Sequence, residues 1–377
     1  MKTLITGGAG FIGTRLAKWL IKQGDKVRIL DNLTPQVHSD ISPEDYFPPD
    51  GCEFVFGDVR DAKVVTEALR GIEVVFHLAA QTGVGQSMYR LRDYVDCNVT
   101  GTASLLEAMI VRKEQVQRIV LASSRAVYGE GNSVCEEHGI IASGARDPDL
   151  LKLAKWDPIC PRCGKPMKSV PTAEDRELKP ISIYGLTKKA QEELCFSTGR
   201  AYGIPVVALR LFNVYGGGQS LRNPYTGILT FFFSAIKSGR APEVYEDGRE
   251  SRDFVHIDDV VRALVLAAQA KNVEFQSYNI GSGEPLSILE AAKLIMARMG
   301  MAGEPMVSGR WRVGDIRHCY ADLTLSRRIL GYEPTGRFDD GIGEFLSWAE
   351  NERPLDLLEA VRDELRARGL LGGEDRR

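Results

Sequence analysis

A short apolar run from Lys2 to Thr6 passes directly into Gly7-Gly8-Ala9-Gly10-Phe11-Ile12-Gly13, and this passage restricts the fold more than any other stretch. The spacing predicts a buried strand, a glycine turn and an amphipathic helix to about Gln23, with Gly24 as its C-cap. Gly7, Gly10 and Gly13 let a backbone approach a pyrophosphate closely, and a helix N-terminus adds amide donors and a positive dipole end. A second strand, Lys26 to Leu30, ends in Asp31. That is the spacing of an acid that accepts hydrogen bonds from an adenosine ribose and repels a 2′-phosphate, so NAD is expected rather than NADP. A tight turn followed by a surface aspartate is the plainer alternative.

The alternation of strand and helix continues. Phe54–Phe56 leads to Asp58-Val59, and Val74–His77 runs into Leu78-Ala79-Ala80, where small residues let a cofactor lie against the backbone. Asp58 reads equally as an adenine contact and as a helix N-cap. Asn98, inside a helix predicted over Arg92–Val111, reads equally as a cofactor contact and as a plain polar residue. A fifth strand, Arg118–Ala122, ends in Ser123-Ser124, on the side where open α/β sheets place ligands. The fold class is therefore α/β, with a doubly wound parallel sheet of Rossmann type. At 377 residues the chain exceeds one ordinary core, so a second, smaller mixed α/β lobe is expected.

Ile183-Tyr184-Gly185-Leu186-Thr187-Lys188 heads another amphipathic helix. Residues i and i+4 share a helix face, so Tyr184 and Lys188 can address one point. A nearby ammonium favours phenolate, giving a proton acceptor for an alcohol. Tyr-x-x-x-Lys also arises by chance on solvated helices.

A formal charge of −3 leaves no basic field for nucleic acid, and no apolar run approaches the ~18 residues of a membrane span. The chain starts with a strand and shows no signal peptide, so a cytoplasmic protein with reduced or metal-bound cysteines is expected.

Together, Thr6–Gly13, Asp31-Asn32-Leu33, Ser123–Gly129, Tyr184-x-x-x-Lys188, Arg210–Gly216 and Arg252–Val260 resemble the extended short-chain dehydrogenase/reductase family, in its nucleotide-sugar epimerase and dehydratase branch. The likeness runs over roughly residues 1 to 345. It implies an NAD-binding domain of residues 1–216 and 253–281 and a nucleotide-sugar lobe of 217–252 and 282–350; past that likeness, the charged sequence of 351–377 reads as a C-terminal helix with a solvated tail. Gly7, Gly10, Phe11, Ile12, Gly13, Asp31, Asn32, Asp58, Val59, Leu78, Ala79, Ala80 and Asn98 fall in the implied cofactor site. Ser124 takes the place that hydrogen-bonds the reacting sugar oxygen, Tyr184 the acid/base role, and Lys188 the hold on the nicotinamide ribose. Arg125, Asn213, Arg252 and Arg312 fall among substrate residues, with the last two matching positions that clamp a diphosphate. A homodimer joined through the helices near Arg92–Val111 and Tyr184–Gly203 is also implied.

Dehydratases of the branch carry acids in the two places after the Ser/Thr, and here those places hold Arg125 and Ala126. Elimination lacks its equipment, whereas C4 epimerisation through a 4-keto sugar does not need it. An NAD-linked dehydrogenase or reductase, and a non-catalytic NAD-binding regulator, are the competing readings.

Residues 130–180 are far longer than a βα connection needs. They contain Cys135-Glu136-Glu137-His138 and Cys160-Pro161-Arg162-Cys163-Gly164. Two close pairs of N/S ligands suit a closed tetrahedral zinc site; three unrelated thiols and a surface histidine are the alternative.

Overall fold

The computed structural model describes residues 1–377 except 40, 113–114, 222, 224, 226, 353–357 and 374–377, and the side chain of 358. Its main sheet has seven parallel strands: β1 (Lys2–Thr6), β2 (Lys26–Asp31), β3 (Cys52–Phe56), β4 (Val74–His77), β5 (Arg118–Ser124), β6 (Val206–Leu211) and β7 (Gln276–Ile280). Their spatial order is β7-β6-β5-β4-β1-β2-β3. The order reverses between β1 and β4, and a crevice opens beyond the strand ends at such a switch.

Alternation along the strands feeds two cores, one on each sheet face. Ile5 packs with Leu16 and Leu20 of α1 (Phe11–Lys22), in the cluster that holds Leu264 of a helix over Ile257–Gln269. Leu4, one residue earlier, joins Leu105 and Met109 of α2 (Gly101–Val111) and Cys195 of α3 (Ile183–Tyr202). A third cluster holds Phe232, Phe233, Ile295 and Phe345.

Three segments differ from expectation. The helix over 92–111 is not uniform: Val95–Thr100 is a π-helical turn, and it turns Asn98 wholly inward. Residues 130–180 fold into a three-stranded sheet, Gly139–Ala142, Asn132–Cys135 and Lys168–Ser169, plus a short helix over Pro148–Lys152. This insertion packs against the 311–322 stretch: Gly131 N–H donates to His318 O at 2.8 Å, and Thr172 N–H to Tyr320 O at 2.9 Å. The C-terminal segment is docked from Leu358 to Gly372 instead of lying solvated, while the end of the expected tail, 374–377, lies outside the described residues. Leu358–Ala367 is a helix that buries Val361 and Leu365, and Leu371–Gly372 pairs antiparallel with Trp311–Arg312. Two apolar residues four apart in a charged segment are too weak a pattern to announce a docked helix.

Candidate active site

The glycine turn closes on itself tightly. A Cβ on Gly7 would lie 2.7 Å from the Ala79 nitrogen, and one on Gly13 would lie 2.5 Å from Gly8 Cα. Gly10 is looser, meeting only the Gly7 carbonyl at 3.3 Å, and α1 begins there without a side-chain cap. The first-turn amides therefore face the crevice, a ready anion site. Asp31 is pinned at the end of β2 by the N–H groups of Ala9 (3.0 Å) and Leu33 (2.9 Å). Asp58 is not a helix cap; Asp61 caps that helix, accepting from Lys63 and Val64. Burial works to raise the Asp58 carboxyl, but hydrogen bonds from Arg60 and Asn32 outweigh it and hold the pKa at about 2.

A cleft of about 960 Å³ runs from this turn past the ends of β4 and β5. Gly7, Gly10, Phe11, Ile12, Gly13, Asp31, Asn32, Asp58, Val59, Leu78, Ala79 and Ala80 line one end. Ser124, Arg125, Tyr184, Lys188 and Asn213 line the other. Asn98, Arg252 and Arg312 are not among its lining residues. Asn98 acts one step behind: its amide accepts from Gln81 N–H (2.7 Å), donates to Gln81 O (3.1 Å) and donates to Thr187 Oγ1 (2.9 Å). It thus ties the cleft-lining Gln81 to α3 as a support and is not a wall residue.

Ser182 starts α3 by accepting from Gly185 N–H at 3.1 Å, which sets Tyr184 and Lys188 in the first two turns. Lys188 has a partner of its own that the sequence does not reveal. Its ammonium donates to the Ala122 carbonyl at 2.8 Å, and burial lowers its pKa to about 8. Burial raises the Tyr184 phenol, while the Ser124 hydroxyl and the Arg125 charge pull it down; the net shift is upward. The charge that pulls the phenol down is that of Arg125.

Two supports behind the cleft escaped the sequence reading. Glu192, two turns past Tyr184, is buried and receives the Arg210 fork (3.0 and 2.8 Å), Ser123 Oγ (2.5 Å) and Ser277 Oγ (3.0 Å). It locks α3 to β5, β6 and β7. His77 is buried between Thr6 (2.7 Å) and Thr102 (2.8 Å), and burial, helped by the Lys188 charge, lowers its pKa to about 3. A glutamate among apolar periodic positions, eight residues past Tyr184, was the available signal for the first.

Arg252 and Arg312 gather elsewhere, around Asp315. Arg252 donates to the carbonyls of Ser251 (2.8 Å), Ile316 (2.8 Å) and Arg317 (3.1 Å), and lies 3.9 Å from the Asp315 carboxylate. Arg312 pairs with Asp315 at 2.8 Å and stacks over Tyr245 at 5.3 Å. The Arg125 charge is felt by Tyr184, and burial together with the Arg252 charge in turn pulls the Arg125 pKa down.

In the insertion, Cys135 Sγ is 3.6 Å from both His138 Nδ1 and Cys163 Sγ, and Cys160 Sγ is 3.5 Å from the same nitrogen. One ligand atom from each of the four residues lies within 4.8 Å of all the others. A tetrahedral zinc with bonds of about 2.3 Å to sulfur keeps its sulfur ligands about 3.8 Å apart, so the donor set fits that ion. All seven cysteines are free thiols.

The chain belongs to the NAD dependent epimerase/dehydratase family, whose match runs over residues 3–143 and 161–281. Its relatives and structural neighbours are nucleotide-sugar 4-epimerases, which makes it an enzyme of the isomerase class. Among them, the dTDP-L-rhamnose 4-epimerase of Burkholderia thailandensis is 39% identical over 355 residues, spanning 93% of this chain and 95% of that one. A UDP-glucose 4-epimerase from Thermotoga maritima, solved with UDP-glucose, superposes with a TM-score of 0.76 at 28% identity, covering 93% of this chain and 99% of its own. The UDP-glucuronic acid 4-epimerase of Bacillus cereus, solved with UDP-glucuronic acid and NAD, gives 0.74 at 27% identity with the same coverage. No helix among the described residues is long and apolar enough to cross a membrane.

Proposed function

We propose that this enzyme inverts C4 of a nucleotide sugar through a 4-keto intermediate, with dTDP-L-rhamnose and dTDP-6-deoxy-L-talose as the pair. The observation that carries the reading is the grouping of Ser124, Tyr184 and Lys188 in the same cleft as the glycine turn. Arg125 and Ala126 stand where elimination would need acids. Gly7, Gly10, Phe11, Ile12 and Gly13 cradle the cofactor pyrophosphate in this reading, Asp31 and Asn32 its adenosine ribose, and Lys188 the nicotinamide ribose. NAD, held there, would supply the acceptor and donor for the C4 hydride. Tyr184 accepts the proton of the C4 hydroxyl while Ser124 holds that oxygen. After the keto sugar turns, Tyr184 gives the proton back, and net redox is zero. Arg252, Arg312 and Asn213 hold the diphosphate.

The dTDP-6-deoxy-L-hexose is supported by the Burkholderia relative; a UDP-hexose or UDP-hexuronate is the second reading, supported by the ligands of the Thermotoga and Bacillus enzymes. Cys135, His138, Cys160 and Cys163 hold one structural zinc, and with four protein ligands no position is left for catalysis. The working form is a cytoplasmic homodimer. Leu91, Val95 and Leu186, each between 43% and 49% exposed on the helices named for the interface, support that state.

The test is to denature the purified protein, identify the released nucleotide, and assay dTDP-L-rhamnose with no added cofactor. Released NAD and an epimer mixture are expected. Stoichiometric cofactor consumption, or a 4-keto sugar accumulating as product, overturns the reading; turnover of UDP-sugars alone selects the second one.

A further inference from the structure

Charge fastens the insertion to the smaller lobe. Arg146, whose side chain is 5% exposed, grips Glu246 with both terminal nitrogens, at 2.9 and 2.7 Å. The same guanidinium donates to Trp156 O at 3.2 Å and to Asp315 O at 3.1 Å. That last bond reaches a stretch with little regular structure of its own. After the two-residue strand Trp311–Arg312 the chain turns at Gly314, where φ is +80°. Three consecutive carbonyls then depend on buried arginines: Asp315 O on Arg146, and Ile316 O and Arg317 O on Arg252. The Asp315 carboxylate holds Arg312, and the ring on which Arg312 stacks is Tyr245, next in sequence to Glu246. One guanidinium therefore joins the residue after Tyr245 to the backbone of Asp315, and Tyr245 and Asp315 are the two residues that hold Arg312.

We infer that Arg146 is a positioning residue for nucleotide-sugar binding: by locking Glu246 to the Asp315 backbone, it sets where Arg312 and Arg252 present their charge to a diphosphate. The inference rests on the diphosphate role proposed above for those two arginines. A planar fork can serve a carboxylate and two carbonyls at once, whereas an ammonium is a point donor that cannot span them. Arg146 touches no reacting atom in this arrangement, so its loss should appear in binding and not in chemistry.

The experiment is calorimetric titration of holoenzyme variants with dTDP and with UDP, beside initial rates on the sugar nucleotide. Arg146→Lys should fold and lose affinity by about three- to tenfold, and Arg146→Met by about 10- to 100-fold. In both, KM should rise, kcat should stay within about threefold, and bound NAD should be unchanged. If Arg146→Met fails to fold, the pair Arg146→Met with Glu246→Leu removes the buried carboxylate that Arg317 alone would then hold, and should show the same loss of affinity. Wild-type affinity in Arg146→Lys, or a fall in kcat at unchanged KM, overturns the inference. Arg312→Met separates the two claims. If it binds both diphosphates normally, the diphosphate reading fails whatever Arg146 does; if it binds poorly while Arg146→Lys does not, only the role of Arg146 fails.

Discussion

Tyr184 stands at the meeting of three influences, burial from the cleft wall, the hydroxyl of Ser124 and the charge of Arg125. Tyr184→Phe removes the proton acceptor and nothing that holds the fold, so turnover should vanish while NAD stays bound. Ser124→Ala should be milder, about 10²–10⁴-fold in kcat, the range of assisted proton transfer. Near-normal activity in Tyr184→Phe would show that another group is the base. His77 makes a different kind of prediction. An unfolded histidine titrates near ~6.5, but here burial holds the pKa at about 3. Between those values the unfolded chain binds a proton that the native chain refuses, so stability present above ~6.5 is lost as pH falls through that window. Unfolding free energies from urea titrations between pH 7 and pH 4 should fall more steeply for wild type than for His77→Gln, by up to about 1.4 kcal/mol per pH unit. Parallel slopes would contradict it. The Tyr184–Lys188 spacing was legible in the sequence, because helical periodicity fixes which residues share a face. The partner of Lys188 was not, because the Ala122 carbonyl comes from a strand some sixty residues earlier.

Two elements carry more than their sequence pattern announces. The insertion has a core of only Cys135, Cys160 and Met167, with Ile141 and Cys163 packed against it, too little apolar surface to order the segment unaided. Metal ligation would supply that free energy. Cys160→Ser should therefore lose zinc by elemental analysis and weaken sugar-nucleotide binding, yet keep NAD, whose glycine turn lies elsewhere. Zinc-free wild type prepared without chelator, or a Cys160–Cys163 disulfide, would contradict this. The C-terminal helix, Leu358–Ala367, is the second element. Glu364 accepts from Tyr89 (2.7 Å) and Tyr225 (2.6 Å), and Arg368 lies 4.2 Å over the Tyr89 ring. With Leu371–Gly372 paired to Trp311–Arg312, the segment braces the strand that carries Arg312. Truncation after Glu352 should weaken nucleotide-sugar binding about tenfold by calorimetry and leave NAD in place. Glu364→Gln alone should change little, because the amide oxygen can still accept from both tyrosines. Unchanged affinity in the truncated protein would mean the segment only covers surface.

At the scale of the whole molecule, the exposed Leu91, Val95 and Leu186 predict a dimer by sedimentation at micromolar concentration, and Leu186→Glu should shift it toward monomer. A clean wild-type monomer would remove the four-helix interface. The parallel sheet, its glycine turn, Asp31 at the end of β2 and the Tyr184–Lys188 face were all set by the sequence alone. Strand and helix periods, glycine geometry and fixed spacings are local properties that a short stretch carries within itself. The inward turn of Asn98, the Glu192–Arg210 lock, the Arg125 charge on Tyr184 and the grip of Arg146 on Glu246 and Asp315 were decided by tertiary structure. Each joins residues from different elements, and buried polar groups take whichever partners the packed layers bring within hydrogen-bond reach.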